Sequence, residues 1–255
     1  MANIVPGAVW QPVDVGNRPA RRKGRGLVGH VAVSSSKNLV PGPLATRSSD
    51  WHFYLPKTGP AVQYIDMDLQ CWATSAGNAS LVAFESEGGM GSSVQLNAEP
   101  WTDNQCQWAA RILRHLHDTE GVPLQAMPDS RPTSRGFGTH RLGISPWRGA
   151  GGEVWSSANG KECPGNTKVS QVPHIIQLAQ TGDNDMDISE MYGARDGQGR
   201  NWLDFQNLVT SVLSDLSKQV AATQAQVAAL AKAQTSGGTV DVQAVADQLT
   251  IVPKQ

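Results

Sequence analysis

Six histidines and three cysteines are the residues of this 255-residue chain best suited to metal or nucleophile chemistry. His30 lies inside an apolar run and is followed by Ser34-Ser35-Ser36. His140 stands within a Gly/Ser/Pro-rich stretch at 128–160, and Cys163 lies at its end. His115 and His117 fall two apart on a predicted helix, face different sides and read as surface or helix-end residues. His174 follows Pro173 near a helix start and reads as structural. Zinc takes nitrogen from neutral imidazole and sulfur from thiolate. A hydrolytic zinc site needs three protein ligands and one open position, where the pKa of a water falls to roughly 7. A His/His/Cys set from distant parts of the chain would serve. Spacing alone does not select it, because a single histidine in a strand is more often a satisfied core residue.

The elements that would carry these residues are those of an α/β protein. Residues 27–34 (LVGHVAVS) read as a buried strand. Residues 51–55 and 61–67 flank Pro56-Lys57-Thr58-Gly59-Pro60 and read as a hairpin. Residues 80–87 read as another strand, with Phe84 and Ser86 on one face and Glu85 and Glu87 on the other. The clearest helix spans 102–119, with Thr102 as N-cap, Asp103 in the first turn and Gly121 after its end. Trp108, Ile112, Leu113 and Leu116 share one face of it. The stretch at 128–160 shows little periodicity, and a loop that long in a compact domain is usually functional. A second helix is expected over 170–180.

One mixed domain is therefore expected over residues 1–181. A polar, turn-rich linker follows at 182–203; its aspartates do not match a calcium loop, whose glycine and closing glutamate are misplaced. At 204–234 Val209, Leu213, Leu216, Val220, Thr223, Val227 and Leu230 recur at steps of four and three, a heptad seam that predicts a coiled coil and self-association. Packing back on the main domain is the alternative. Residues 235–255 read as a Gly-rich break and a short terminal helix.

Composition excludes several classes. The net charge is −1, and basic residues do not interleave with aromatics, so nucleic acid is not an expected partner. The one basic cluster, 18–25 (RPARRKGR), reads as a solvated loop. No apolar run approaches the ~18 residues of a membrane span, and the N-terminus lacks a signal pattern. An odd cysteine count suits a reducing compartment, with Cys71 and Cys106 as buried thiols. A soluble cytoplasmic product is expected.

Five segments in order resemble the zinc amidase family that includes phage N-acetylmuramoyl-L-alanine amidases, T7-type lysozyme and peptidoglycan recognition proteins. They are similar above all to endolysins of phages that infect actinobacteria. Gly29-His30-Val31-Ala32-Val33-Ser34 resembles the first-ligand strand. Trp51-His52-Phe53-Tyr54 with Gly59 and Gln63-Tyr64 resembles the hairpin. Gly77-Asn78 and Phe84-Glu85-Ser86-Glu87-Gly88 resemble the central strand. Gly138-Thr139-His140 resembles the second-ligand loop, and Lys161-Glu162-Cys163-Pro164-Gly165 the K-x-C-P-G signature. The likeness covers roughly residues 8 to 180.

The resemblance implies a mixed central sheet flanked by helices, and zinc (Zn2+) held by His30, His140 and Cys163. It implies a peptidoglycan hydrolase that cuts the amide between N-acetylmuramic acid and L-alanine with water activated by zinc. Lys161 would stabilise the oxyanion and Glu85, or Glu87 in its place, would assist the water. Trp51, Tyr64 and Asn78 would bind substrate. Trp51 stands where some relatives place a tyrosine, which shifts work to Lys161 or Glu85. The 23 residues from His140 to Cys163 are more than compact relatives have, so an insertion carrying Trp147 and Trp155 must cross the site. An endolysin would accumulate in the host cytoplasm and reach the wall after holin-mediated release. The alternatives are a binding module of the same fold that does not cut, and a virion or assembly protein suggested by the heptads. The intact ligand set favours the enzyme.

Overall fold

The computed structural model describes residues 2–182 and, beyond them, Leu216, Val220 and Thr223. The strands are β1 (Val9–Trp10), β2 (Gly26–Val31), β3 (Phe53–Leu55), β4 (Val62–Gln63), β5 (Leu81–Ser86) and β6 (Gly136–Thr139). The helices are α1 (Ser93–Ala98), α2 (Asp103–Glu120), α3 (Asn166–Ser170) and α4 (Val172–Thr181). The strands form one sheet in the order β1-β4-β3-β5-β2-β6, in which β3 and β4 pair antiparallel and every other pair is parallel. This is the mixed, helix-flanked α/β sheet expected. The linker, the rest of the heptad segment and the terminal segment lie outside the described residues.

The two faces of the sheet bury different things. Leu27, Phe53, Leu55, Val82, Phe84 and Phe137 point to one side, where Trp108, Ile112, Leu113 and Leu116 of α2 and Ile175 and Ile176 of α4 pack on them. Each such side chain contributes roughly 1.5–3 kcal/mol when fully buried. On the opposite face Val28 and Leu81 pack with Met127 and Trp155, while Tyr54 and Ala83 pack with Tyr64, Ile65 and Cys71. Strand alternation puts His30 and Glu85 on this second face. Helix α2 starts in a capping box, Thr102 with Gln105, and ends at Gly121 in the left-handed conformation (φ 68°).

Three readings of the sequence are corrected. The stretch at 128–160 is not all loop. Gly136–Thr139 is the edge strand β6, paired with β2, and its two glycines hid the signal because glycine is depleted in strands. The basic cluster is only partly solvated: Arg22 and Lys23 are exposed, but Arg18, Arg21 and Arg25 are buried. They pair with Asp50 (2.5 Å), Glu120 (2.5 Å) and Glu153 (2.6 Å), since a buried guanidinium is tolerated only when paired. The helix expected over 170–180 is α4, and the short α3 precedes it, meeting it at Gln171. His174 lies on the exposed side of α4.

His52 is fully buried in the hairpin and has a fixed tautomer. Its Nε2–H donates to the Leu69 carbonyl (2.9 Å), and its Nδ1 accepts the Ala83 N–H (3.2 Å). Burial, aided by Arg21 and Arg18 and opposed by the Leu69 bond and Asp50, pulls its pKa down to about 3. The folded pKa therefore lies below the unfolded value of about 6.5. The neutral ring's contribution is complete above pH 6.5. It is lost as pH falls towards 3, because only the unfolded chain then takes up the proton. Chemical denaturation should show this one group removing about 2 kcal/mol between pH 7 and pH 5. His52→Gln should be less stable at pH 7 and lack that part of the slope. Parallel pH profiles for the two proteins would refute the assignment.

Candidate metal centre

The carboxyl ends of three neighbouring parallel strands build the site. His30 is the fifth residue of β2 and stands in register with Glu85 on β5, while His140 follows directly on β6. Ligands of open α/β sheets bind at such strand ends. Cys163 comes from the segment before α3, its thiol lying against the Val31 backbone N–H. One donor atom each from His30, His140 and Cys163 lies within 4.8 Å of the others, and all three residues are buried. The two imidazole centroids are 4.2 Å apart at 39°.

Several contacts fix these donors. The His140 Nε2–H donates to the Trp155 carbonyl (3.1 Å), which leaves Nδ1 bare. That Nδ1 and the His30 Nε2 are both buried without a hydrogen-bond partner. A carbonyl partner of this kind orients a metal-binding histidine. Trp155 is itself pinned: its N–H donates to Gly143 O (2.9 Å), and its Nε1–H donates to Glu153 (3.1 Å), which also takes Arg25. Arg141 ties the second donor's neighbourhood to the third's, donating to the Glu162 carbonyl (2.8 Å) and to Asn166 Oδ1 (2.6 Å). Gly165 explains one residue of the K-x-C-P-G signature. Its φ is 110°, and a Cβ there would come within 2.3 Å of the Leu96 carbonyl of α1.

Burial also sets the protonation states. Desolvation, then repulsion from His140 and Lys161, holds His30 well below the ordinary histidine value. Desolvation, opposed by the Trp155 carbonyl and aided by Lys161, brings His140 down to about 4. Both rings are thus neutral lone-pair donors at pH 7. Burial, with Glu85 adding to it, pushes the Cys163 thiol up to about 12. Burial also raises Glu85 to about 8, against the pull of Lys161. A divalent cation among these groups would reverse the last two directions, since a metal-bound thiol is deprotonated. Two unpartnered buried nitrogens beside a buried thiol fit zinc.

A cleft of about 370 Å³ opens beside the donors, and Cys163, Glu85, Lys161, Trp51 and Val33 are among its lining. Of the residues singled out in the sequence, the structure brings His30, His140 and Cys163 together, and Cys163, Glu85, Lys161 and Trp51 line the cleft beside them. Glu85 Oε1 is 3.8 Å from His30 Nδ1, and its Oε2 has no partner. Glu87 instead accepts the Lys57 N–H (2.8 Å). Two residues expected to touch substrate do not line the cleft. Tyr64 is fully buried with its hydroxyl donating to Asn38, and Asn78 staples a turn by accepting the N–H groups of Ala73 (3.1 Å) and Thr74 (2.7 Å). Of the insertion's tryptophans, Trp155 is core and Trp147 lies under Arg141, 4.7 Å from its guanidinium. The supporting residues Arg25, Arg141 and Glu153 carry no sequence signal, because their partners are far away in the chain.

No family model and no curated protein matches the sequence. Among solved structures, the chain is similar to the N-acetylmuramoyl-L-alanine amidase LysC from Clostridium intestinale: 16% identity over 69% of this chain and 98% of that one, TM-score 0.45. It is similar to the Staphylococcus aureus hydrolase AmiA in complex with its ligand: 15% identity over 70% and 87%, TM-score 0.45. It is also similar to peptidoglycan recognition protein-LE in complex with tracheal cytotoxin: 12% identity over 66% and 93%, TM-score 0.43.

The Trp155 support is open to test. A Cβ at Gly143 would stand 2.2 Å from Trp155 Cγ, so Gly143→Ala must displace the residue whose carbonyl holds His140. Cobalt titration, followed by the thiolate-to-metal absorption band, should give an affinity about 10–100-fold lower than wild type. An unchanged affinity would show that the carbonyl does not orient the ring.

Proposed function

We propose that this chain is a zinc-dependent N-acetylmuramoyl-L-alanine amidase, a peptidoglycan hydrolase of the endolysin type. One observation carries the reading: three buried donors converge within 4.8 Å beside a cleft that also presents a carboxyl and an ammonium group. The five ordered motifs of the sequence support it. Zinc bound by His30, His140 and Cys163 would supply Lewis acidity and a water of lowered pKa.

The chain's own residues account for the remaining chemistry. Glu85 sits at a strand end with one unpartnered oxygen, where it orients the attacking water and takes its proton. Water oxygen adds to the lactyl carbonyl carbon, and Lys161 donates to the oxygen that becomes negative. The carbon–nitrogen bond then breaks. The L-alanine nitrogen leaves with the proton from Glu85, giving a lactyl carboxylate and a free amino terminus. Trp51 borders the cleft as an apolar wall for the substrate. Tyr64 and Asn78 act at most by holding the hairpin and the turn in shape.

In this role the protein accumulates in the cytoplasm of a bacteriophage-infected host and meets the wall after holin-mediated release. No helix among the described residues is long and apolar enough to cross a membrane. The heptad segment supplies a second part of the proposal, association of copies through 204–234. Its Leu216, Val220 and Thr223 are helical, and Leu216 and Val220 are 53% and 48% exposed.

Two experiments test these statements. On purified peptidoglycan the wild type should bind about one zinc per chain and free L-alanine amino termini. Cys163→Ser should lose metal and activity together. Glu85→Gln and Lys161→Met should keep the metal and lose about 10²–10³ in kcat. A zinc-loaded wild type that binds the wall but frees no amino termini would be a binding module instead. For association, light scattering should report more than one copy for the full chain and a monomer for Leu216→Glu/Val220→Glu. A monomeric wild type would end that part of the proposal.

A further inference from the structure

Val33 has a backbone conformation that its side chain opposes. Its φ is 48°, and only Ser75 shares a positive φ among the described non-glycine residues. For a β-branched residue this region is a genuine outlier, and such strain persists where the surroundings impose it. Here they do. Strand β2 runs parallel to β5 through Val31, and Ala32 still donates to the Ser86 carbonyl (3.0 Å). Ser34 and Gly88 then exchange two backbone hydrogen bonds (3.0 and 2.8 Å) in an antiparallel bridge. The chain must reverse its pairing sense between these contacts, and Val33 absorbs the turn. Glycine would adopt that conformation without penalty.

The interior gives no reason for a valine. Val33 is 57% exposed and belongs to none of the apolar clusters of the core. It does line the cleft, on which the lining divides by chemistry. Val33, Leu39 and Leu96 are apolar, whereas Glu85, Lys161 and Glu162 are charged. A ligand in contact with both sets carries an apolar group together with a polar or charged one.

We propose that Val33 is a specificity-determining residue, whose isopropyl group is held over the cleft to contact the alkyl side chain next to the scissile amide. This rests on the amidase reading, and it adds that a glycine or a bulky residue in place of alanine is discriminated against at this contact. Fold stability is given up for that contact, which makes the idea separable from a structural role.

The test compares wild type, Val33→Gly and Val33→Ile on soluble muramoyl peptides carrying L-alanine or glycine after the lactyl group. Val33→Gly should have a melting temperature equal to or above wild type, because the turn is relieved of strain. Its KM for the alanine substrate should rise about five- to tenfold with kcat within about twofold, the size expected for losing one partly buried apolar contact. Its preference for alanine over glycine should fall, while Val33→Ile should retain it. A Val33→Gly protein that melts lower would make Val33 structural and overturn the proposal. So would one with unchanged KM and unchanged preference on an active enzyme. A wild type that neither binds nor cleaves these peptides would remove the amidase reading itself, and the inference with it.

Discussion

Three adjacent strands, β5, β2 and β6, run parallel and in register, and their hydrogen bonds decide where each polar group of the cleft can stand. A slip of one residue in a strand turns every side chain to the opposite face. On β2 that slip would put His30 where Gly29 now lies. The room there is measured by Gly29 itself, for even a Cβ would meet Phe84 at 2.8 Å and Trp101 at 3.1 Å. The packed side of the sheet therefore refuses an imidazole, and the register has no near competitor. The same pairing sets Glu85 beside His30 and delivers the chain to His140 one residue after β6 ends. Packing on one face thus specifies chemistry on the other.

Cys163 and the insertion before it need other restraints, because no strand carries them. Buried charge provides these. Arg25 stands just before β2 and reaches Glu153, Ser130 and Arg131, so the insertion is tied to the base of the ligand strand. Glu153 holds Trp155, and Trp155 holds His140. Arg21 and Glu120 similarly tie the N-terminal segment to the end of α2. A buried ion pair adds little net stability over an apolar pair of the same shape, but removing one partner costs about 3–5 kcal/mol. These pairs act less as sources of stability than as penalties against any other path for the loops. The rest of the third-ligand segment is held by side-chain hydrogen bonds rather than ion pairs, such as Asn97 donating to the Glu162 carboxylate (2.5 Å).

Legibility in the sequence followed the range of the interaction. Local signals were readable: the N-cap Thr102 and C-terminal glycine of α2, the hairpin around Gly59, and the alternation on β5 that sends Phe84 and Glu85 to opposite faces. A second capping box, Ser92 with Gln95, was equally present and marks α1, but only a six-residue helix follows it. The donor trio was legible only through motif resemblance, since no spacing rule links positions 30, 140 and 163. What stayed hidden depends on partners far apart in the chain. The run 18–25 has the composition of a solvated loop, and only Asp50, Glu120 and Glu153 reveal that three of its arginines are interior. Tyr64 resembled a substrate contact in a motif, yet the turn of β4 sends it into the core beneath Asn38.

The donor set also narrows which ion the site suits and what such an ion could do. Two neutral nitrogens and one sulfur are poor ligands for calcium or magnesium, which take oxygen. No carboxylate is among the three donors, and Glu85 stands apart, with 17% of its side chain exposed. A soft, tetrahedral ion such as zinc matches this chemistry. Structural zinc sites are closed by four protein ligands, whereas catalytic ones leave a position free. Among the described residues the cluster offers three, and Cys163 is at once a donor and part of the cleft lining. The cleft that Cys163 lines is also lined by Glu85 and Lys161. A site meant only to staple the insertion would gain stability from a fourth ligand, and Glu85 on the neighbouring strand is the residue nearest to supplying one. Glu85 instead keeps one buried oxygen without a partner while its other oxygen lies 3.8 Å from His30 Nδ1, so a carboxylate stands next to the trio without completing it.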